Sequence, residues 1–187
     1  MPNWCSNSIT LRHADSAMID RVIKGQEGLL MEFLPTPKEL TETVAGFMGE
    51  DKRAAHEAQQ RANIEKYGYK DWYDWNVANW GTKWDVSLDS INRVDANTVQ
   101  ASFESAWAPP TGAYERLMEL GFEIEAFYYE PGMCFVGKWD NGEDDYYEYS
   151  GMNSTQIADT LPVVLDEAFG ISESAAEWEA ENEEEDL

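Results

Sequence analysis

Polar and apolar residues alternate from Ser6 to Arg12 (Ser-Asn-Ser-Ile-Thr-Leu-Arg), a period of two that predicts a strand with one buried face. The period then changes. Met18, Ile19, Val22 and Ile23 recur at helical spacing behind Asp15, which can cap a helix that Gly25 closes. Leu29 to Leu34 is a short apolar run and predicts a strand. Thr36-Pro37-Lys38-Glu39 predicts a helix start, with Thr36 as cap, Pro37 at the first helical position and Glu39 completing a capping box. Residues 50–67 are rich in Ala, Gln, Glu and Lys, with Ile64 the one large aliphatic, and predict a mostly exposed helix ending near Gly68. Tyr69, Trp72, Tyr73, Trp75 and Trp80 follow as a dense aromatic cluster, so residues from about 36 to 80 read as a helical insertion without strands.

The second half has a different texture. Trp84 to Arg93 predicts a strand, Asp95-Ala96-Asn97 a turn, and Thr98 to Trp107 the returning strand, with Val99, Ala101, Phe103, Ser105 and Trp107 on one face. Pro109-Pro110-Thr111 opens a helix carrying Tyr114, Leu117 and Met118, and Gly121 closes it. Phe122 to Glu130 predicts a strand, Pro131-Gly132 a type II turn, and Met133 to Trp139 the strand that returns. Asn141-Gly142 is a strong two-residue hairpin signal before Glu143 to Tyr149. A last helix carries Ile157, Leu161, Val164, Leu165 and Ala168 on one stripe and is kinked or restarted at Pro162. Without the insertion the order is βαββαβ, the ferredoxin-like split motif, so the fold class is α+β: one antiparallel sheet with helices on one face, extended by a hairpin and a helix.

Charge alters the picture more than composition does. The 187 residues are 43% hydrophobic and 13% aromatic, enough for a core, and residues 1–171 read as one domain. Yet 37 acids face 13 bases, a formal charge of −24. Residues 1–93 hold 14 acids and 11 bases, whereas residues 94–187 hold 23 acids with only Arg116 and Lys138 against them. That field opposes direct contact with nucleic acid or an anionic membrane, because phosphate contacts need bases. Residues 172–187 are the densest part and read as a disordered or frayed helical tail, in which Trp178 is the lone aromatic. No apolar run approaches the roughly 20 residues of a membrane span and no signal peptide is read. Cys5 and Cys134 form no disulfide framework, which fits a reducing cytoplasm.

Five segments carry a family resemblance: Met-Pro-Asn-Trp-Cys-Ser-Asn (1–7), Phe-Leu-Pro-Thr-Pro-Lys-Glu-Leu (33–40), Asn-Trp-Gly-Thr-Lys-Trp-Asp (79–85), Phe-Glu-Ser-Ala-Trp-Ala-Pro-Pro (103–110) and Tyr-Tyr-Glu-Pro-Gly-Met (128–133). In this order they resemble the YubB-like or Api-like family of enterobacteria, their plasmids and their phages, over residues 1 to about 140. The resemblance implies a ferredoxin-like domain and a phage or mobile-element context. It brings no activity, no catalytic residue and no cofactor, and it does not extend to the acidic tail.

Two candidate sites stand out. Glu123 and Glu125 alternate on one strand, Glu143, Asp144, Asp145 and Glu148 lie on the next hairpin, and Glu130 and Asp140 add to them. Carboxylates on neighbouring strands would imitate the phosphate run of a duplex and occupy the basic groove of a nucleic-acid-binding protein. The alternative is a small-ligand or peptide pocket in which Trp80, Trp84 and Trp107 stack the ligand while Lys83 and Asp85 orient it. His13, His56 and the two cysteines match no zinc spacing, Asp144 and Asp145 lie in no calcium loop, and Thr82-Lys83 lacks the glycine lead of a phosphate loop. The expectation is a non-enzymatic phage or mobile-element accessory protein that needs no cofactor. It would act in the host cytoplasm on a basic host protein, as a nucleic-acid mimic inhibiting a defence factor of the anti-restriction or anti-CRISPR kind.

Overall fold

A computed structural model describes residues 3–185. Its strands are β1 (Trp4–His13), β2 (Ser90–Asp95), β3 (Thr98–Ala106), β4 (Phe122–Glu130), β5 (Phe135–Asp140) and β6 (Glu143–Glu148). They form one sheet in the order β2-β3-β1-β4-β5-β6, and every neighbouring pair is antiparallel. The first four strands, with α1 (Ser16–Lys24) and α6 (Thr111–Glu119) as crossovers, give the ferredoxin-like arrangement, and β5 and β6 widen it beyond β4.

Alternation decides which side of the sheet carries the main core. Ile9 on β1 partners Ala101 on β3 and Ala126 on β4, and all three face α1 and α6 among Leu11, Val22, Phe103, Tyr114, Leu117 and Ile124. Asp15 caps α1 through its carboxylate, which accepts from the Ala17 N–H at 2.9 Å. At the β5–β6 hairpin Asn141 (φ 47°) and Gly142 (φ 99°) both take the positive φ of a type I′ turn.

Between α1 and β2 the chain is helical: α2 (Leu29–Phe33), α3 (Lys38–Thr41), α4 (Arg53–Tyr67) and α5 (Trp72–Trp80). The expected strand at Leu29–Leu34 is therefore a helix. Asp85 supplies the reason, since its carboxylate accepts from the N–H groups of Leu30 (2.8 Å) and Met31 (3.3 Å) and caps that turn. The capping box at Thr36–Glu39 does not form either. Thr36 Oγ1 donates to Asn76 Oδ1 at 2.7 Å, while Glu39 accepts from Lys66 and Tyr67 on α4, which leaves α3 a single turn. Residues 84–88 stay out of the sheet because their backbone bonds elsewhere: Val86 O accepts from Leu29 N and Leu88 N donates to Gln26 O. Gly132 lacks the positive φ of a type II turn. What it provides is room, since a Cβ there would lie 2.7 Å from Asn3 Nδ2.

The last three helices, α7 (Ser154–Thr160), α8 (Val163–Phe169) and α9 (Ile171–Glu185), cover part of the sheet's opposite face. Ile157, Leu161, Leu165 and Ile171 bury against Val136, with Phe127 and Tyr129 beside them. Val164, expected on that stripe, is 52% exposed because the restart after Pro162 turns it outward. The acidic segment is a formed helix through Glu185, where the charge run predicts a disordered or frayed one. It docks by Ile171 and Ala175, and Glu179 accepts from the N–H (2.8 Å) and hydroxyl (2.7 Å) of Ser154 at the start of α7.

Candidate functional site

The sheet divides the eight predicted acids. Register partners in an antiparallel ladder point to the same side. Glu125, Asp140 and Glu143 are consecutive partners across β4, β5 and β6, Asp145 partners Lys138, and Glu123 partners Arg12. All five lie on the face opposite α1 and α6. Lys138 Nζ bridges Glu125 (3.2 Å) and Asp140 (2.9 Å), so part of this charge is already neutralised. Asp144 and Glu148 partner Trp139 and Phe135 on the other face, and both are exposed. Glu130 is only 1% exposed and accepts from the N–H groups of Gly132 and Met133, so it builds the turn after β4 and cannot meet a partner. The single acidic face is thus corrected to five carboxylates on one side, two on the other and one inside.

The predicted pocket is rearranged as well. Trp80 is a core residue at 1% exposure, with its indole N–H donating to the Leu34 carbonyl at 3.0 Å. Asp85 is consumed by the α2 cap. Its burial raises the carboxyl above the usual range, and the Leu30, Val86 and Met31 N–H groups oppose that rise. Lys83, Trp84 and Trp107 do converge. Lys83 Nζ lies 4.5 Å from the Trp84 ring centre, 5.5 Å from that of Trp107 and 5.8 Å from that of Tyr73. Trp4 leans on Trp84 at 5.9 Å. Tyr73 and Trp4 were outside the predicted set, although both stand within segments the sequence marks as aromatic or motif-bearing.

Trp107 is the hinge of the arrangement. Alternation along β3 predicts it inward, but its φ is 71°, a conformation costly for a residue with a side chain, and the indole is 41% exposed. The backbone N–H of Trp107 donates to Asn3 O at 2.9 Å, which holds this turned-out residue against the entry to β1. On one side Trp107 borders a groove of about 570 Å³ whose other walls are Asn3, Met133, Phe135, Tyr146 and Glu148. A smaller depression of about 260 Å³ continues from it past Tyr146 to Tyr128 and Asp144. There Tyr128 Oη donates to Asp144 Oδ1 at 2.6 Å. The bond exists because Gly137 has no Cβ, which would overlap the Tyr128 hydroxyl. Burial and the Asp144 carboxylate push the Tyr128 phenol well above its ordinary value, so it stays a donor and keeps Asp144 in place. On the other side of Trp107 lies a groove of about 470 Å³ with Lys83, Tyr73, Lys70 and Asp71 in its walls.

An aromatic and methionine floor edged by carboxylates is suited to a cation on an apolar stem, such as a Lys or Arg side chain. Cys5 has no place in such chemistry: burial pushes its thiol up to about 12. Among the described residues no three His, Cys, Asp or Glu side chains converge as metal ligands, and no helix is long and apolar enough to cross a membrane.

No protein-family model and no curated protein matches the chain. A distant structural neighbour is the crystal structure of a protein api92 from Yersinia pseudotuberculosis, described by family model DUF1281. It is 14% identical, with 81% of this chain and 99% of that chain covered and a TM-score of 0.44. Nothing about family or activity follows from it.

Proposed function

We propose that this chain is a non-enzymatic binding protein and that its partner offers a basic polypeptide segment to the groove between Trp107 and the β5–β6 hairpin. One observation carries the reading. Trp107 is held outward at a costly φ, and the groove it borders joins Tyr146, Phe135 and Met133 to Glu148 and, in its extension, Asp144. Exposed aromatic residues in a recess, edged by charge, are the composition of binding hot spots. A net charge of −24 steers a basic partner toward it. The finer reading places the chain in the YubB-like or Api-like family as an accessory of a phage or mobile element. Its partner is then a host nucleic-acid-binding defence factor, kept from its substrate by mimicry.

The test uses the full chain, immobilised, and bacterial proteins first retained on and eluted from a DNA column. Capture should weaken steeply with salt and be reversed by added duplex DNA. Trp107→Gly, which suits the positive φ, should lower affinity by roughly 30-fold or more, as for a central anchor. Glu148→Lys should act in the same direction, while Glu123→Gln with Glu125→Gln on the far face should do little. Capture that ignores salt, or that Trp107→Gly leaves intact, overturns the groove. Salt-sensitive capture that DNA does not displace removes mimicry alone.

A further inference from the structure

Trp107 separates two recesses, of which one presents carboxylates and the other also presents ammonium groups. The groove toward β6 presents Glu148, with Asp144 in its extension. The groove toward α5 presents Lys83 and Lys70. Lys70 is committed, since its ammonium pairs with Asp74 at 3.0 Å. Asp71, the carboxylate in that wall, is fully buried, and its Oδ1 caps α5 by accepting from the Asp74 N–H at 3.1 Å. Its Oδ2 has no hydrogen-bond partner among the described residues.

Lys83 differs from most cations of this chain. Among the described residues eight of the 13 bases pair with a carboxylate, which 37 acids make easy. Lys83 has no such partner among the described residues. Its ammonium is held instead by the faces of Trp84, Trp107 and Tyr73. Aromatic faces fix the position of an ammonium without neutralising its charge. The cation is therefore placed beside an exposed indole with its charge still available to an anion from outside.

From this juxtaposition we infer that the partner segment is bipolar. It carries its basic residues over Glu148 and Asp144, an apolar residue on Trp107, and a carboxylate side chain over Lys83. This deepens the proposed groove and rests on it. It also supplies a specificity that net charge cannot, because a uniformly basic segment would set one of its own cations against Lys83.

Three labelled peptides test it by fluorescence anisotropy on the full chain. One has a basic block, a central Leu and an acidic block. The second replaces the acidic block with Gln, and the third replaces it with Lys. The first should bind about 5-fold or more tighter than the second, the gain of one oriented ion pair, and the third should bind weakest. Lys83→Met keeps the apolar stem over the rings and should erase the difference between the first two. Lys83→Glu should reverse the order of the first and third. If all three bind equally through Trp107, the segment is not bipolar and the basic-segment reading stands. If none binds, both fall.

Discussion

Two helices of equal length, α4 and α9, solve the problem of an exposed surface helix in opposite ways. Each has 15 residues and little amphipathic pattern. In α4 the charges are mixed, and Arg53 pairs with Glu57 at 2.8 Å one turn along. Its one buried side chain is polar: Asn63 Nδ2 donates to Thr43 Oγ1 and to the Lys70 carbonyl, each at 2.9 Å. α9 carries seven glutamates and no base of its own to offset their repulsion. Its anchor is apolar, Ile171 against the α7–α8 cluster, with Trp178 left 66% exposed. Charge in α4 is spent inside the molecule. In α9 it is kept for the surroundings, as is that of Lys83 and Glu148 around Trp107.

The largest test of this contrast removes the anchor of α9. Ile171 is 3% exposed among Leu161, Leu165 and Val136, so Ile171→Ala should cost about 2–5 kcal/mol in urea unfolding. A cost below about 1 kcal/mol would mean that α9 is not seated, since even an Ile→Val change in a core costs roughly that much. The counterpart on α4 is Asn63→Ala. It leaves the buried Thr43 hydroxyl oxygen and the Lys70 carbonyl without their shared donor and should cost about 1–3 kcal/mol. An apolar isostere such as Asn63→Leu should fare no better if α4 is held by polar satisfaction alone.

The middle rank belongs to salt. Screening relieves repulsion along α9 and weakens the pairs of α4. Glu177→Lys with Glu181→Lys should therefore raise the melting temperature by roughly 1–3 °C at low ionic strength, and the gain should vanish near 0.5 M salt. The same substitutions should weaken capture of a basic partner if α9 contributes to steering. A melting temperature that falls instead would place the α9 glutamates in contacts other than mutual repulsion.

The fold was legible wherever one physical cause acted alone. The alternation of β1, β3 and β4, the Asp15 cap and the Asn141-Gly142 turn depend on neighbours in sequence, and each is in place. Expectations failed where a distant group decided the outcome. Leu29–Phe33 is a helix because Asp85, more than fifty residues away, caps it, and Thr36 is drawn off by Asn76. At the site, residue types were readable but sides were not. Glu130 carried the same signal as Glu148, and only the turn's need for an acceptor buries it. Trp107 was readable as an aromatic of interest, while its positive φ breaks the alternation that would have hidden it.

The smallest effect compares two partly exposed carboxylates, one on each system. Glu39 is lowered to about 2 by hydrogen bonds from Lys66 and Tyr67 of α4, and Glu179 is lowered by the hydroxyl and N–H of Ser154. A depressed carboxylate adds stability above its unfolded value and loses it as pH falls through the folded value. The Glu39 contribution is therefore fully present above about pH 4.5 and disappears toward pH 2. In α9 the same acidification also discharges the other glutamates and removes their repulsion, so the loss at Glu179 is opposed. Carbon-detected NMR titration should find Glu39 with a midpoint near 2. Glu39→Gln should flatten the acid limb of the stability curve, whereas Glu179→Gln should change it less. Equal slopes for the two variants would mean that repulsion along α9 contributes little to its acid response.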